Sequence, residues 1–405
     1  MAKLMTRRRG LMRSLATLAA PSLITRVRAQ NMPTVRIGVL WDRSGAGAET
    51  SGLDQIVAAR MAIDDFGQFS RGYSIDLVDA EFARRPDEAG DIARQWFEKN
   101  NVAAIVDIPG TAAPVRVQEL GRTHNRTVMN TSSFNSALIG ASCTPTATHW
   151  VEDTRALAMA MTIGMAAEGV KSWFLIAPDD VTGVAFQNDA TAAIEGSGGR
   201  VAGFVRYPSD GTSYTAALTS ALNAGADAVG LCASGAPLLE QLRQARPLGL
   251  FDKSKICAYA VSIKDVHALG PLEAQGLYLV SGFYWNQNER TKSFGNRFND
   301  LTQRMPDKSY AATYAAVSDF LRIVEAADTI DGGVINVSLR RDPVYFFGAS
   351  GTIRPDGQLL LDVGLYRVKP PNEVNETWDY YKTVRVIRAA DVYRTAVRGA
   401  CPSAA

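Results

Sequence analysis

VRIGVLWDRSGAGAETSGLDQIVAARMAIDDFG, residues 35–67, joins an apolar, β-branched run to a helix-like run through a glycine-rich turn. A strand, a tight turn and a helix in that order are the unit from which parallel sheets flanked by helices are built. Such a turn can also cradle a phosphate, so its glycine spacing matters. A dinucleotide site needs G-x-G-x-x-G, but Gly45 and Gly47 are followed by Thr50 where the third glycine belongs. A phosphate loop needs a lysine before Ser or Thr, and no lysine occurs between residues 4 and 98. Neither nucleotide site is supported, and no cofactor is expected.

Upstream of this unit, residues 1–29 read as an export signal. Arg7, Arg8 and Arg9 give a basic start, SLATLAAPSLI a short apolar stretch, and VRAQ a small-residue cleavage site after Ala29. The consecutive arginines point to the twin-arginine route. The whole chain carries 43 basic and 41 acidic residues; without residues 1–29 the balance is 36 to 41, a net charge of −5. A mildly acidic protein is a poor match for nucleic acid or an anionic membrane. No later stretch approaches the roughly 18 apolar residues of a membrane span. A soluble, periplasmic, monomeric protein is expected, without a lipid anchor because no cysteine lies near the cleavage site. Cys232 and Cys257 sit in apolar, strand-like runs, whereas Cys143 and Cys401 sit in loop-like ones, where an oxidising compartment permits them to pair.

The strand–helix alternation continues along the chain. YSIDLVDA, VAAIVDI and RTVMNTS follow the first strand, with helices expected at about 52–67, 87–99 and 112–124. In the first of these, Ile56, Ile63 and Phe66 mark the apolar face and Asp54, Asp64 and Asp65 fall off it. After residue 150 the alternation restarts with SWFLIA, RVAGFVRY, DAVGLCA, KICAYA and GLYLVSGFYW. Two such series imply an α/β protein of two doubly wound lobes. A single barrel is disfavoured, because two long helices follow each other after residue 285 and RPDG (354–357) then reads as a hairpin turn.

Catalytic signatures are weak. The three histidines, 124, 149 and 267, form no metal-ligand spacing with one another or with cysteine, and read as surface or capping residues. CASGA around Ser234 only loosely resembles a nucleophile elbow, since Cys232 stands where glycine is required; a hydrolase using Ser234 is the alternative reading. What the strand ends do supply is hydroxyls and backbone N–H groups: Ser44, Thr111, Ser132 and Ser133, and Asp180 with Thr182, each just after a strand. Singly, each is a candidate helix cap. Repeated at the carboxyl ends of several strands, they suggest a cleft for a polar or anionic small molecule.

In order, VRIGVLWDRSG, GLDQIVAARMAIDDFG, IPGTAAPV, VMNTSSFNSALIGASCTPTATHW, KSWFLIAPDDVTG, GLYLVSGFYWNQNERTKSFGNRF, YAAVSDFLRIVEAA and GTIRPDGQLLLDVGLYRVKPP resemble the branched-chain amino-acid binding family of ABC-transporter periplasmic proteins. The resemblance covers essentially the chain after residue 29. It implies two Rossmann-like lobes with crossovers near 148–151, 281–284 and 347–351, closing on a ligand and presenting it to membrane permease subunits. The lobes would comprise 30–149 with 283–348 and 150–282 with 349–392, leaving 393–405 as a tail. It places a ligand carboxylate on Thr111 and the Ser132–Ser133 pair. The glutamate that holds an amino acid's ammonium would fall near Ala260, and an aromatic expected after FLIAP is Thr182. These departures favour a carboxylic acid without an α-amine, aromatic acids included, against Ser234, Tyr259, Phe283 and Trp285, with Tyr284 turned away; a branched-chain or other amino acid or amide is the alternative ligand.

Overall fold

The computed structural model describes residues 33–42, 52–67, 72–83, 85–209, 211, 213–393 and 401. Ser44 and the export signal lie outside the described residues. The first lobe opens with β1 (Thr34–Trp41), α1 (Leu53–Gly67), β2 (Ser74–Glu81), α2 (Pro86–Lys99), β3 (Val102–Asp107), α3 (Ala112–Thr123), β4 (Thr127–Asn130) and β5 (Ala147–His149). These strands form one parallel sheet in the order β2-β1-β3-β4-β5. The near-continuous apolar character of VRIGVL and VAAIVD has a simple cause, since helices cover both faces of such a sheet and every residue of β3 is buried. Gly38 in β1 is part of this fit: a Cβ there would meet the Trp96 ring of α2 at 2.3 Å.

The second lobe repeats the plan. It contains α4 (Thr154–Ala167), β6 (Ser172–Pro178), α5 (Val181–Gly196), β7 (Arg200–Tyr207), α6 (Thr215–Ala224), β8 (Ala228–Leu231), α7 (Gly235–Ala245), the short α8 (Leu250–Lys253), β9 (Lys255–Ala258), α9 (Ile263–Leu269), the short α10 (Pro271–Ala274) and β10 (Tyr278–Ser281). Its sheet runs β7-β6-β8-β9-β10, the same order as in the first lobe, and then adds β14 (Val363–Val368) antiparallel beside β10 and β15 (Tyr381–Ile387) antiparallel beside β14. In both sheets the direction of winding reverses beside the first strand, between β1 and β3 and between β6 and β8. Ligands of open α/β sheets bind outside the carboxyl ends at such a point.

Between β10 and β14 the chain returns to the first lobe as α11 (Glu289–Thr302), α12 (Lys308–Ala327) and α13 (Gly332–Arg341), followed by β11 (Val344–Phe346), β12 (Ala349–Ile353) and β13 (Leu359–Leu360). The RPDG turn closes the β12–β13 hairpin, with Thr352 opposite Leu360. The sequence reading gave residues 349–392 to the second lobe and named no partner for the hairpin. Residues 349–353 pair with β11 and β13, not with the second lobe's sheet, because Gln358 beside the turn bridges back to His149 on β5.

Two further expectations are corrected. In α1 the buried residues are Asp54, Gln55, Ala58, Ala59, Met61 and Ala62, so Asp54 does not fall off the buried face, while Ile56, Ile63 and Phe66 are half-buried and pack against the core. The reason is α12, whose Ala311, Ala312, Ala315 and Ala316 let the helices approach closely, with the Thr313 hydroxyl donating to Gln55 at 2.6 Å. His149 is neither a surface nor a capping residue. It is 1% exposed, with ring nitrogens 3.0 Å from the Gln358 side chain and 2.7 Å from the Ser133 carbonyl.

Cys143 and Cys401 form a disulfide across 258 positions of sequence, while Cys232 and Cys257 are free and buried. A cross-link closing so long a loop stabilises by about 2–4 kcal/mol. Replacing both Cys143 and Cys401 by serine should therefore lower the melting temperature by several degrees, and reduction of the unmodified protein should reproduce that shift in a calorimetric scan.

Candidate functional site

The carboxyl ends of β1, β3, β4, β6, β8, β9 and β10 converge on one cavity of about 830 Å³ lined from both lobes. Its size lies within the range of small-molecule sites, about 300–1,000 Å³. Thr111, Ser132, Ser133, Asp180, Thr182, Ser234 and Phe283 all line it.

The β3 end is conformationally demanding. Asp107, Ile108 and Gly110 have φ of 77°, 68° and 91°, in the left-handed region that costs a non-glycine residue about 1–3 kcal/mol. This turn carries Thr111 to the first position before α3. There its hydroxyl makes no capping bond but lies 3.1 Å from the hydroxyl of Thr182, which belongs to the other lobe. Asn135 holds the same residue from behind, its amide donating to the Thr111 carbonyl at 2.9 Å.

The hydroxyls divide by what else they bond. Ser132 donates to Asp107, and Ser133 donates to the Gly110 carbonyl at 2.7 Å while accepting from the Asn135 N–H. Both shape the wall. Asp180 caps α5 by accepting from the Gly183 N–H at 2.8 Å. Gly183 is required there, since a Cβ would sit 2.3 Å from the Pro178 carbonyl oxygen. Ser234 stands at the N-cap of α7 without a capping bond, beside the helix's unsatisfied N–H groups. Thr111 and Ser234 thus stand at helix N-cap positions without spending their hydroxyls on the cap.

Two aromatics depart from expectation. Tyr259 does not line the cavity; it follows β9 on the opposite face and stacks on Phe186 in the core, leaving Ala260 at the wall. Trp285 is also turned away, donating its indole N–H to the Trp378 carbonyl at 2.9 Å. Tyr284, which alternation would point away, lines the cavity with Phe283 because β10 ends at Ser281 and strand alternation lapses at Gly282. Its hydroxyl donates to Asp379 at 2.9 Å, which fixes the ring.

The sequence reading missed the cavity floor. Asp307, Lys308 and Tyr381 line it, from the start of α12 and from β15. Asp before KSYAATYAAV signals a helix start, but nothing local shows that this start faces the cleft. The Lys308 ammonium lies 2.9 Å from Glu152 and 4.9 Å from the Phe134 ring centroid. Glu152 also accepts from the Gly282 N–H, so one carboxylate joins two crossover segments to α12.

Asp307 caps α12 with one oxygen, Oδ1, which accepts from the Ser309 and Tyr310 N–H groups at 2.8 and 3.3 Å. Burial pushes its pKa up to about 6, against the pull of Lys264, of those two N–H groups and of Lys308.

The residues 34–373 match the family model described as periplasmic binding protein. A crystal structure of a periplasmic binding protein from Burkholderia mallei is 30% identical, with a TM-score of 0.84, covering 91% of this chain and 99% of that one. A branched-chain amino-acid ABC transporter periplasmic ligand-binding protein from Burkholderia xenovorans LB400 is 27% identical, with a TM-score of 0.86, covering 92% and 100%. A solute-binding protein of an ABC transporter from R. palustris, solved with 4-hydroxybenzoate, shares the fold at 16% identity, a TM-score of 0.78 and coverage of 88% and 97%. Comparison with curated proteins gives no relative. The fold is therefore that of the type I periplasmic binding proteins, two lobes about a ligand cleft. The chain belongs to the periplasmic binding protein family. Among the described residues no helix is long and apolar enough to cross a membrane.

Two predictions follow from the geometry. A neutral hydrogen bond contributes about 0.5–1.5 kcal/mol, so losing the Thr111–Thr182 contact should shift the ratio of open to closed lobes about two- to tenfold. Thr111→Val and Thr182→Val should each enlarge the radius of gyration in small-angle X-ray scattering, and the double variant should be no more open than either. For Asp307 the folded pKa lies above the ordinary carboxylate value. Its stabilising contribution is therefore fully present below about pH 4 and lost as pH rises through about 6. Asn also caps helices well, so Asp307→Asn should be at least as stable as the parent protein at pH 7 and lack that pH-dependent component in denaturant titrations.

Proposed function

We propose that this protein is the exported receptor of an ABC importer and binds a small carboxylate-bearing molecule, aromatic acids included, by closure of the two lobes. The observation that carries the reading is that two cleft hydroxyls not spent on helix capping, Thr111 and Ser234, stand at the N-terminal ends of α3 and α7 in one cavity. Helix N-termini favour anions, and hydroxyls add directional donors. Phe134, Phe283 and Tyr284 supply an apolar wall for the body of the ligand. Closure needs only that the closed state bind the ligand better than the open one. Residues 1–29 would serve as the leader, by the twin-arginine route, and the protein would act as a monomer with membrane permease subunits as its partners. Ser44 remains a proposed contact on sequence grounds alone.

A specific observation favours a second ligand class. Ala260 supplies no acid, yet Asp265 and Asp307 both line the cavity, which suits an amino acid or amide. The hydrolase reading of Ser234 has less support: none of the three histidines is among the lining residues, and both ring nitrogens of His149 are bonded elsewhere.

The test is a thermal-shift screen of the purified protein against aromatic carboxylates, branched-chain amino acids and short amides. A ligand at about 1,000 times its Kd stabilises by about 4 kcal/mol, a rise of several degrees. Shifts with carboxylates that lack an α-amine support the proposal; shifts confined to amino acids or amides move the protein to the second class. A hydrogen bond to a charged group contributes about 1.5–3 kcal/mol. Ser234→Ala should therefore weaken binding of an active carboxylate about ten- to a hundredfold in calorimetric titrations.

A further inference from the structure

The backbone passes between the lobes after β5, after β10 and after β13. The disulfide adds a link of a different kind. After β15 the chain forms a short helix, α14 (Ala389–Val392), which packs on α4 and belongs to the second lobe. The Ala389 N–H donates to Asp362 at 2.8 Å, and Val392 shares a buried core with Leu157 and Ile387. Tyr393, the next residue, stands at the hinge beside Trp150, Glu152 and Gly282. Its carbonyl accepts from Arg354 of the first lobe's hairpin at 3.4 Å, and Asp356 holds that guanidinium at 2.5 Å. Cys401 is then bonded to Cys143, in the β4–β5 connection of the first lobe. Cys143 is a firm anchor. Gln118 of α3 donates to the Leu138 and Ser142 carbonyls at 3.1 and 2.6 Å, and Arg340 of α13 donates to the Pro145 and Ala147 carbonyls at 3.2 and 2.8 Å. The anchor also lies toward the amino end of the first sheet, since the Thr146 carbonyl accepts from the N–H of Val128 near the start of β4. It is thus remote from the ligand cavity, which gathers the carboxyl ends.

We infer that the Cys143–Cys401 disulfide is a fourth connection between the lobes and limits how far they part. A cross-link placed within one lobe would constrain the unfolded chain just as well; this one runs from the last helix of the second lobe to the body of the first. The chain from Val392 to Cys401 spans at most about 30 Å when fully extended, so with the bond in place the core of the second lobe and the Cys143 anchor stay within a fixed reach. A rotation that opens the cleft by carrying α14 away from Arg354 draws on that reach. The bond therefore removes widely open conformations that the backbone hinges alone would allow. Apparent affinity scales with the fraction of molecules in a binding-competent state, so removing incompetent ones strengthens binding without any contact to the ligand. The inference concerns the motion of the lobes and holds for either ligand class.

The test reads the distance between nitroxide labels on Asp91→Cys in α2 and Glu195→Cys in α5, one exposed position on each lobe, by double electron–electron resonance. Three full chains are compared: the oxidised parent, Cys143→Ser with Cys401→Ser, and a chain that keeps the disulfide but carries about eight flexible Gly and Ser residues inserted between Ala396 and Val397. The double-serine chain should show a longer mean distance and a broader distribution than the parent. The lengthened chain should show the same change while melting close to the parent, because the cost of loop closure grows only slowly with loop length. A double-serine chain that melts lower with the parent's distance distribution would overturn the inference and leave the bond a stabilising cross-link alone. A lengthened chain that keeps the parent's distances while the double-serine chain opens would overturn it too, since the bond would then act through the β4–β5 connection and not as a tether. If the double-serine chain does not fold, the lengthened chain decides by itself: opening supports the tether, and unchanged distances overturn it.

Discussion

The Glu152–Lys308 ion pair is the contact about which the two lobes are organised. Glu152 lies on the first passage between lobes and Gly282 on the second, while Lys308 opens the long helix that the second passage feeds. A buried pair of this kind is weak evidence for net stability, but breaking it by removing one partner costs about 3–5 kcal/mol. That asymmetry makes it a clasp. The three segments cannot separate without leaving a charge unpaired. It also fixes the start of α12, and with it the carboxylate of Asp307, at the bottom of the cleft.

From this clasp the cleft opens in a graded way. At the floor are Asp307 and Lys308; along the walls are Ser132 and Ser133, bonded to Asp107 and the Gly110 carbonyl; between the lobes is the Thr111–Thr182 contact. The strained turn at Asp107 and Ile108 belongs to the same design. It is held by Ser132 and by the backbone of β1, and it delivers Thr111 to the point where the lobes meet.

Much of the fold was legible in the sequence because it depends on period and order. Runs such as VAAIVD can be buried on both faces only in a parallel sheet, and their alternation with helices fixed the two-lobe architecture. The site was legible only where strand order dictates position, as at Thr111, Ser133, Thr182 and Ser234. It failed where position depends on local rotation or distant pairing. Tyr259 and Trp285 are large and apolar, so either face of the wall could take them, and the core took both. On α1 the bulky residues that mark amphipathicity pack at the margin of the core, because the close approach of α12 favours alanine at its centre. Asp307 and Tyr381 were invisible as a pair, since 73 intervening residues and a change of lobe separate them in the chain.

The order of the strands carries a consequence for biosynthesis. The sheet of the second lobe is completed by β14 and β15, which follow the helices and hairpin that complete the first lobe. The two lobes are thus interleaved along the chain, and neither is a contiguous segment that a ribosome could deliver whole. Folding domain by domain during synthesis, the usual habit of large proteins, is closed to this one. The first lobe is completed only after five strands of the second have been made, and the second only with the last two strands of the chain.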